Sequence, residues 1–307
     1  MRARAARSRS NATVSTLERF WLAYCACACA AALLAEALSD GSAAAPGYQP
    51  FAFVALHVVV ALLQLVPVSL DRRGRSSAAR FARASIAIAC LPIVFSALCM
   101  ALPHAHPEPW EIRWLAVDHW VFGADATSPL RLASNEPSLA LLQLVYASFY
   151  AIPIGACLVV LRQRGSVAFD RAVTTITGGF LLSYLGYLWF PTLGPKDVVP
   201  LSVPPGGEWL ASLHVLLHEA EANHWDCFPS GHTMMSLCAA LVATREGCVR
   251  IGWLHVLAWT VVASTLVLRY HWPIDVLVGA VLAPLWILAS DALLARDGAL
   301  LRSPSPN

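Results

Sequence analysis

Residues 172–191 read AVTTITGGFLLSYLGYLWFP, twenty positions without a charge, and run straight into Thr192-Leu193-Gly194-Pro195-Lys196. As a helix, a run of that length crosses the ~30 Å hydrocarbon core of a bilayer, and the lysine beyond it marks the return to water. Working outward, apolar runs of similar kind occupy Phe20 to Leu38, Phe51 to Leu70, Ala84 to Leu102 and Ser138 to Leu161 on the N-terminal side. His232 to Thr244, Ile251 to Leu268 and Ile274 to Leu294 follow on the other side, the first of them able to extend to Gly247. Of 307 residues, 58% are hydrophobic and 13% charged, with a mean hydropathy of +0.60, which is not the balance of a soluble domain. The expectation is an all-α polytopic membrane helix bundle of about eight transmembrane helices.

Cytoplasmic loops collect Lys and Arg, so the basic residues test this reading. With the N-terminus inside, every one of the 21 falls on the cytoplasmic side except Arg113, Arg131, Lys196 and Arg269. Both termini are then cytoplasmic. The net charge of +2 is a topology signal and gives no reason to expect nucleic acid as a partner. The Arg-rich start is also compatible with the basic region of a signal peptide, but Phe20 to Leu38 is long enough to span. Of nine cysteines, Cys25, Cys27, Cys29, Cys90, Cys99 and Cys157 lie within apolar runs, where cysteine acts as a small hydrophobe. Cys238 falls in the sixth run and Cys248 just past it, leaving Cys227 alone outside with no evident partner.

The chain divides into residues 1–83, an Arg-rich tail with two helices, residues 84–295, a six-helix remainder that holds every motif, and a short cytoplasmic tail, 296–307. Pro103 to Pro137, with Trp110, Trp114 and Trp120, is either an interfacial helix or a lid. Thr192 to Cys227 forms a second outside loop with a short helix expected over Glu208 to Glu221. There His214 and His218 stand one turn apart, but a third zinc ligand at a recognisable spacing is lacking, so no metal is expected. His57 and His255 are expected to make helix–helix hydrogen bonds.

Three segments carry the chemistry: Gly194-Pro195-Lys196, Pro229-Ser230-Gly231-His232 and Arg269-Tyr270-His271-Trp272-Pro273-Ile274-Asp275. Ser230 is a good N-cap ahead of the run that starts at His232, so this turn offers free N–H groups to an anion, and Gly231 removes a side chain that would block close approach. His232 projects into the same space as a proton donor. Pro273 suits the first turn of a helix, which lets the Asp275 side chain lean back toward His271. A carboxylate on one ring nitrogen would leave the other as a nucleophile; alternatively the pair simply caps a helix. Arg269 either snorkels to headgroups or binds phosphate.

Tyr187 to Lys196, Cys227 to His232 and Ser264 to Gly279 resemble, in order, spacing and sidedness, the three signature motifs of the type 2 phosphatidic acid phosphatase superfamily, membrane relatives of vanadium haloperoxidases. The resemblance covers Ala84 to Leu294, and the two helices before this core resemble the inositol phosphorylceramide synthase-like branch. It implies a six-helix core, no cofactor and no metal, with His271 as the nucleophile that forms a phosphohistidine, Asp275 as its orienter and His232 as the general acid. Lys196, Ser230, Gly231 and Arg269 would bind the phosphate. Val203 before Pro204, and Thr265 after Ser264, stand where the family has arginines. Arg269, expected one helical turn beyond Thr265, is then the substitute guanidinium.

The activity implied is that of a lipid phosphate phosphatase. The substrate would be a lipid phosphate or diphosphate among membrane lipids, the site would face the periplasmic, extracytoplasmic side of a bacterial inner membrane, and an alcohol acceptor in place of water would make the chain a head-group transferase. A lipid transporter or scramblase using the same anion pocket is the reading from another class.

Overall fold

The computed structural model describes residues 14–38, 49–70, 77–105, 110–123, 126–199 and 224–300, with 212, 215 and 216. In chain order the helices are α1 (Thr16–Leu38), α2 (Pro50–Leu70), α3 (Ser77–Ala105), α4 (Glu111–Phe122), α5 (Thr127–Leu132) and α6 (Glu136–Ala147). A 3-10 turn (Ser148–Tyr150) then leads to α7 (Ala151–Trp189), α8 (Pro195–Val198), α9 (Gly231–Arg245), α10 (Gly252–Val267) and α11 (Pro273–Leu300). The protein is an all-α bundle, and each of the eight apolar runs has become helix. The Arg-rich start, His214, His218 and the Val203-Pro204 pair lie outside the described residues.

Five stretches are long and apolar enough to cross a membrane: Thr16–Ala37, Pro50–Pro67, Ala78–Pro103, Glu136–Trp189 and Pro273–Arg296. Only 22 to 44% of the residues in their most apolar windows are buried inside the protein. Side chains such as Phe51, Val256 and Leu288 point outward with 66–76% exposure. Apolar surface on that scale needs lipid to cover it, so this is an integral membrane protein. The 54-residue stretch is about 80 Å of helix at ~1.5 Å per residue, far more than one bilayer. It breaks at Gly165, whose φ of 81° is left-handed, and this break separates the two runs read from the sequence.

α9 has only 15 residues, but it is the axis of the bundle, packed by α7, α10 and α11. Met234, Met235, Cys238, Ala239 and Ala240 are fully buried. Close approach depends on two glycines that face it: a Cβ on Gly179 would stand 2.9 Å from Met235 Sδ, and one on Gly279 2.7 Å from Ser230 O. α1 is fastened to α3 by the buried Glu18, whose Oε1 is 3.2 Å from Arg83 Nε. Trp21, Tyr24 and Val60 pack with Leu181 and Tyr184 of α7. At the end of the bundle away from the motifs, Arg245 joins Asp291 at 2.8 Å, and Arg171 bonds Glu246.

His255 behaves as expected, its Nε2 lying 2.9 Å from Thr244 Oγ1 across two helices. His57 does not. Its Nδ1 donates to Phe53 O of its own helix at 2.8 Å, because its ring is held against Phe53 and Tyr24 and its Nε2 meets no donor among the described residues.

Candidate active site

α7 delivers the first segment, the turn before α9 the second, and the turn between α10 and α11 the third. All three meet at one end of the bundle. Thr192 pairs with the second segment through N–H donation to Trp225 O at 3.1 Å and acceptance from Cys227 N–H at 3.2 Å. It pairs with the third by way of its neighbours: Trp272 Nε1–H donates to Leu193 O at 2.9 Å and Lys196 N–H to Arg269 O at 3.0 Å. A Cβ on Gly194 would stand 2.6 Å from Tyr270 O, so only glycine permits this approach. Behind the segments lies α4. Trp110 N–H donates to Pro191 O at 3.0 Å, Trp114 Nε1–H to Thr192 Oγ1 at 3.1 Å, and the Trp114 ring stacks on Phe228 at 4.2 Å. The buried Asp118 accepts from Ile274 N–H at 3.1 Å, capping the start of α11. α4 is therefore a buttress that leaves Trp120 86% exposed, and none of its residues lines the cavity described below.

His271 and His232 face each other, Nε2 to Nδ1, at 3.3 Å. The other nitrogen of His271, Nδ1, is 2.9 Å from Cys227 O. A carbonyl only accepts, so two lone pairs would collide unless Nδ1 carries the ring proton. Nε2 is then the lone-pair nitrogen. Asp275 does not make the direct hydrogen bond expected from its spacing. Its Oδ2 is 3.8 Å from Nδ1 and instead accepts from Cys227 Sγ–H at 2.8 Å and Trp272 N–H at 3.0 Å. Tyr270 O is a second acceptor for the thiol at 3.2 Å. Cys227 thus stands between carboxylate and imidazole, its thiol on one and its carbonyl on the other. Burial, and then the Asp275 carboxylate, push this thiol well above its usual range, so it holds its proton and donates.

Ser230 caps α9 as the sequence suggests, accepting from Thr233 N–H at 3.2 Å, and its own N–H donates to Asp275 O at 3.2 Å. Gly231 has a nearer reason to be glycine than an anion: a Cβ there would overlap Tyr187 Oη, well inside van der Waals contact. Gly231→Ala is accordingly expected to cost ~1–3 kcal/mol of stability by overpacking. Thermal melts should show Tyr187→Phe restoring at least half of that in the double variant.

The His232 ring lies between Tyr146 at 4.4 Å and Phe149 at 4.3 Å. Tyr146 also stacks on Tyr270 at 4.1 Å, whose Oη accepts from Gln143 at 2.8 Å. Lys196 Nζ sits 3.8 Å over the Tyr270 ring, necessarily on the face away from Tyr146. Arg269 is where the structure departs most from a helical extrapolation. α10 ends at Val267 in a Schellman turn, with Tyr270 N–H donating to Thr265 O at 2.9 Å and Arg269 N–H to Leu266 O at 3.1 Å. Arg269 occupies the left-handed position, φ 63°, normally given to glycine. It is off the helix, 3% exposed, with Nε donating to Thr127 Oγ1 of α5 at 3.2 Å. Burial, followed by Arg269 itself, lowers the pKa of Arg131 on the same short helix.

A cavity of about 420 Å³ opens onto the histidine pair. Its polar end carries Lys196, Asp197, His224, Asp226, Cys227, His232 and His271. From there it runs between α3 and α7 along Leu91, Pro92, Phe95, Pro153, Ile154, Phe180 and Tyr184. Ser230, Gly231, Asp275 and Arg269 do not line it. Cys227 is the residue that reading by side-chain chemistry overlooks. Its position two residues before Pro229, inside the second motif segment, was the available signal.

The structure defines a class, that of membrane helical bundles with paired histidines at the polar end of an apolar cavity. Within that class the assignment is specific: the sequence model of the PAP2 superfamily matches residues 113–289, more than half of the chain, and the protein belongs to that superfamily. Comparison with curated proteins and with solved structures gave no match.

Proposed function

We propose that the protein is a lipid phosphate phosphatase that works through a phosphohistidine at His271. The observation that carries this reading is the His271 ring, fixed by Cys227 O so that its lone-pair nitrogen faces His232 at the head of an apolar cavity. His271 Nε2 attacks phosphorus, the P–O bond to the lipid breaks, and His232 protonates the departing oxygen. His232 then takes a proton from water as its oxygen attacks phosphorus, the P–N bond breaks, and phosphate leaves. A phosphoryl group must enter between the two rings, so substrate binding separates the 3.3 Å pair. Lys196 supplies positive charge from the cavity wall and Arg269 from behind it, their backbones joined by the Lys196 N–H to Arg269 O bond. The start of α9, at Ser230 and Gly231, adds its positive dipole end from behind the cavity wall, with Ser230 N–H already given to Asp275 O.

Hydrolysis is the first reading because the second motif has the Pro-Ser-Gly-His form. A basic residue two places before His271 is the feature of the synthase-like branch, and an alcohol receiving the phosphoryl group from the same intermediate is the second reading. The site lies at the helix ends opposite Arg171, Arg245 and their acidic partners, which supports cytoplasmic termini and an extracytoplasmic active site; eight spans and a bacterial inner membrane belong to the same reading.

Purified protein in detergent should release phosphate from at least one member of a panel of lipid phosphates and diphosphates, assayed with and without inositol or a ceramide-like alcohol. EDTA should leave the rate unchanged, and vanadate, which mimics five-coordinate phosphorus, should abolish it. Movement of lipid between leaflets with no turnover on any panel member would favour a transporter. Loss of activity in EDTA restored by magnesium would contradict the metal-independent mechanism.

A further inference from the structure

Cys227, His271 and Asp275 form the one group of three such side chains among the described residues whose ligand atoms all lie within 4.8 Å of one another. The edges of the triangle are 2.8 Å from Sγ to Oδ2, 3.4 Å from Sγ to Nδ1 and 3.8 Å from Nδ1 to Oδ2. Tetrahedral zinc, with bonds of ~2.0–2.3 Å, holds its ligands about 3.3–3.8 Å apart. Two edges already have that length. The third is short because a proton sits between sulfur and oxygen, and it lengthens when a metal replaces that proton. Asp275 has a spare donor as well: Oδ1 is buried with no hydrogen-bond partner among the described residues, in a residue of 0% exposure.

We propose that Cys227 Sγ, His271 Nδ1 and the Asp275 carboxylate form a three-ligand site for a thiophilic divalent cation, zinc or cadmium, and that filling it silences the enzyme. The charges favour it. A divalent ion with one thiolate and one carboxylate is neutral overall, whereas the empty site buries a carboxylate whose partners are neutral donors. Cys227 and His271 line the cavity, which gives the ion an entry path past Asp197 and Asp226, with Lys196 opposing them at the same polar end. The protons balance. Sγ loses its proton to solvent, and the Nδ1 proton leaves its bond to Cys227 O so that Nδ1 can coordinate while Nε2 gains one, keeping the imidazole neutral; the released carbonyl turns from the ring to the ion or to water. His271 then presents N–H where attack on phosphorus needs a lone pair, so the metal acts as an inhibitor and not a cofactor. The silencing half rests on His271 being the nucleophile; the binding half does not.

Zinc affinity is measured on the full chain in detergent by competition with a chromophoric chelator, and cadmium by the ultraviolet charge-transfer band of its thiolate. Wild type should bind one equivalent that weakens by about 100-fold or more in Cys227→Ser, which removes a ligand to the ion itself. Asp275→Asn should weaken it comparably while keeping all nine thiols, so it reads this site alone and remains informative if Cys227→Ser fails to fold. Zinc should stop wild-type phosphate release, EDTA should restore it, and the residual turnover of Cys227→Ser should need about 100-fold more zinc for inhibition. Equal affinity and stoichiometry in wild type and Asp275→Asn would overturn the site. A filled site with unchanged turnover would overturn the silencing. Absence of turnover on every lipid would count against the phosphatase reading, and the binding titrations would still decide the site.

Discussion

His271→Ala is expected to abolish phosphate release, with a fall of at least about 10⁵-fold, the scale for removing a covalent nucleophile. Nothing nearby replaces it: His232 is held between Tyr146 and Phe149, and the Cys227 thiol keeps its proton. His232→Ala acts on both halves of the reaction, as acid and then as base, and should cost about 10²–10⁴-fold. The two variants differ in kind. His232→Ala retains the nucleophile and should become phosphorylated slowly, whereas His271→Ala should not be phosphorylated at all. Wild-type rates in His271→Ala would end the mechanism.

Arg269→Gly should be less active than wild type and more stable than Arg269→Ala. Arg269 holds a left-handed φ of 63° at the end of α10, a conformation that costs a non-glycine residue roughly 1–2 kcal/mol. Glycine removes that cost but loses the buried side chain and its bond to Thr127, so the gain is read against alanine, which loses the same contacts and keeps the cost. Turnover should fall by about 100-fold, the scale for one preorganised donor to a transition-state oxyanion. Arg269→Ala should lose activity equally without the gain in stability. Arg269→Lys, which keeps the charge but not the fork, should recover only part. Backbone strain kept at a site where glycine is the ordinary choice is the pattern of a side chain retained for function. A loss under about threefold in all three variants would leave Arg269 as a tether to α5 alone.

The helices were legible because hydropathy is a local property, and each apolar run became helix. The break at Gly165 was legible in the same way, as an interval of polar residues between two runs. His232 and His271 come together as their segments suggest, since proline and serine fix where α9 and α11 begin. The rest depends on contacts that spacing does not encode. Asp275 has the right register to reach His271, but the chain from Asp226 to Pro229 passes between them and places Cys227 there. The carbonyl that holds Nδ1 is common to every residue type, so no side-chain pattern announces it. Helical spacing from Thr265 misplaces Arg269, because α10 ends two residues before it in a turn whose usual glycine is absent. The tryptophans of α4 are evident in the sequence, but only tertiary packing shows Trp114 against Phe228 and Asp118 against the start of α11.

The central claim is a covalent bond between phosphorus and His271. Rapid quench of wild type and of His232→Ala, mixed with a phosphate-labelled lipid that the enzyme turns over, measures it directly when followed by proteolysis and mass spectrometry under alkaline conditions. The mechanism predicts an acid-labile, base-stable phosphoryl group on the peptide containing His271, transient in wild type and accumulating in His232→Ala. Steady turnover with no labelled protein in either, or label on any other residue, would contradict it.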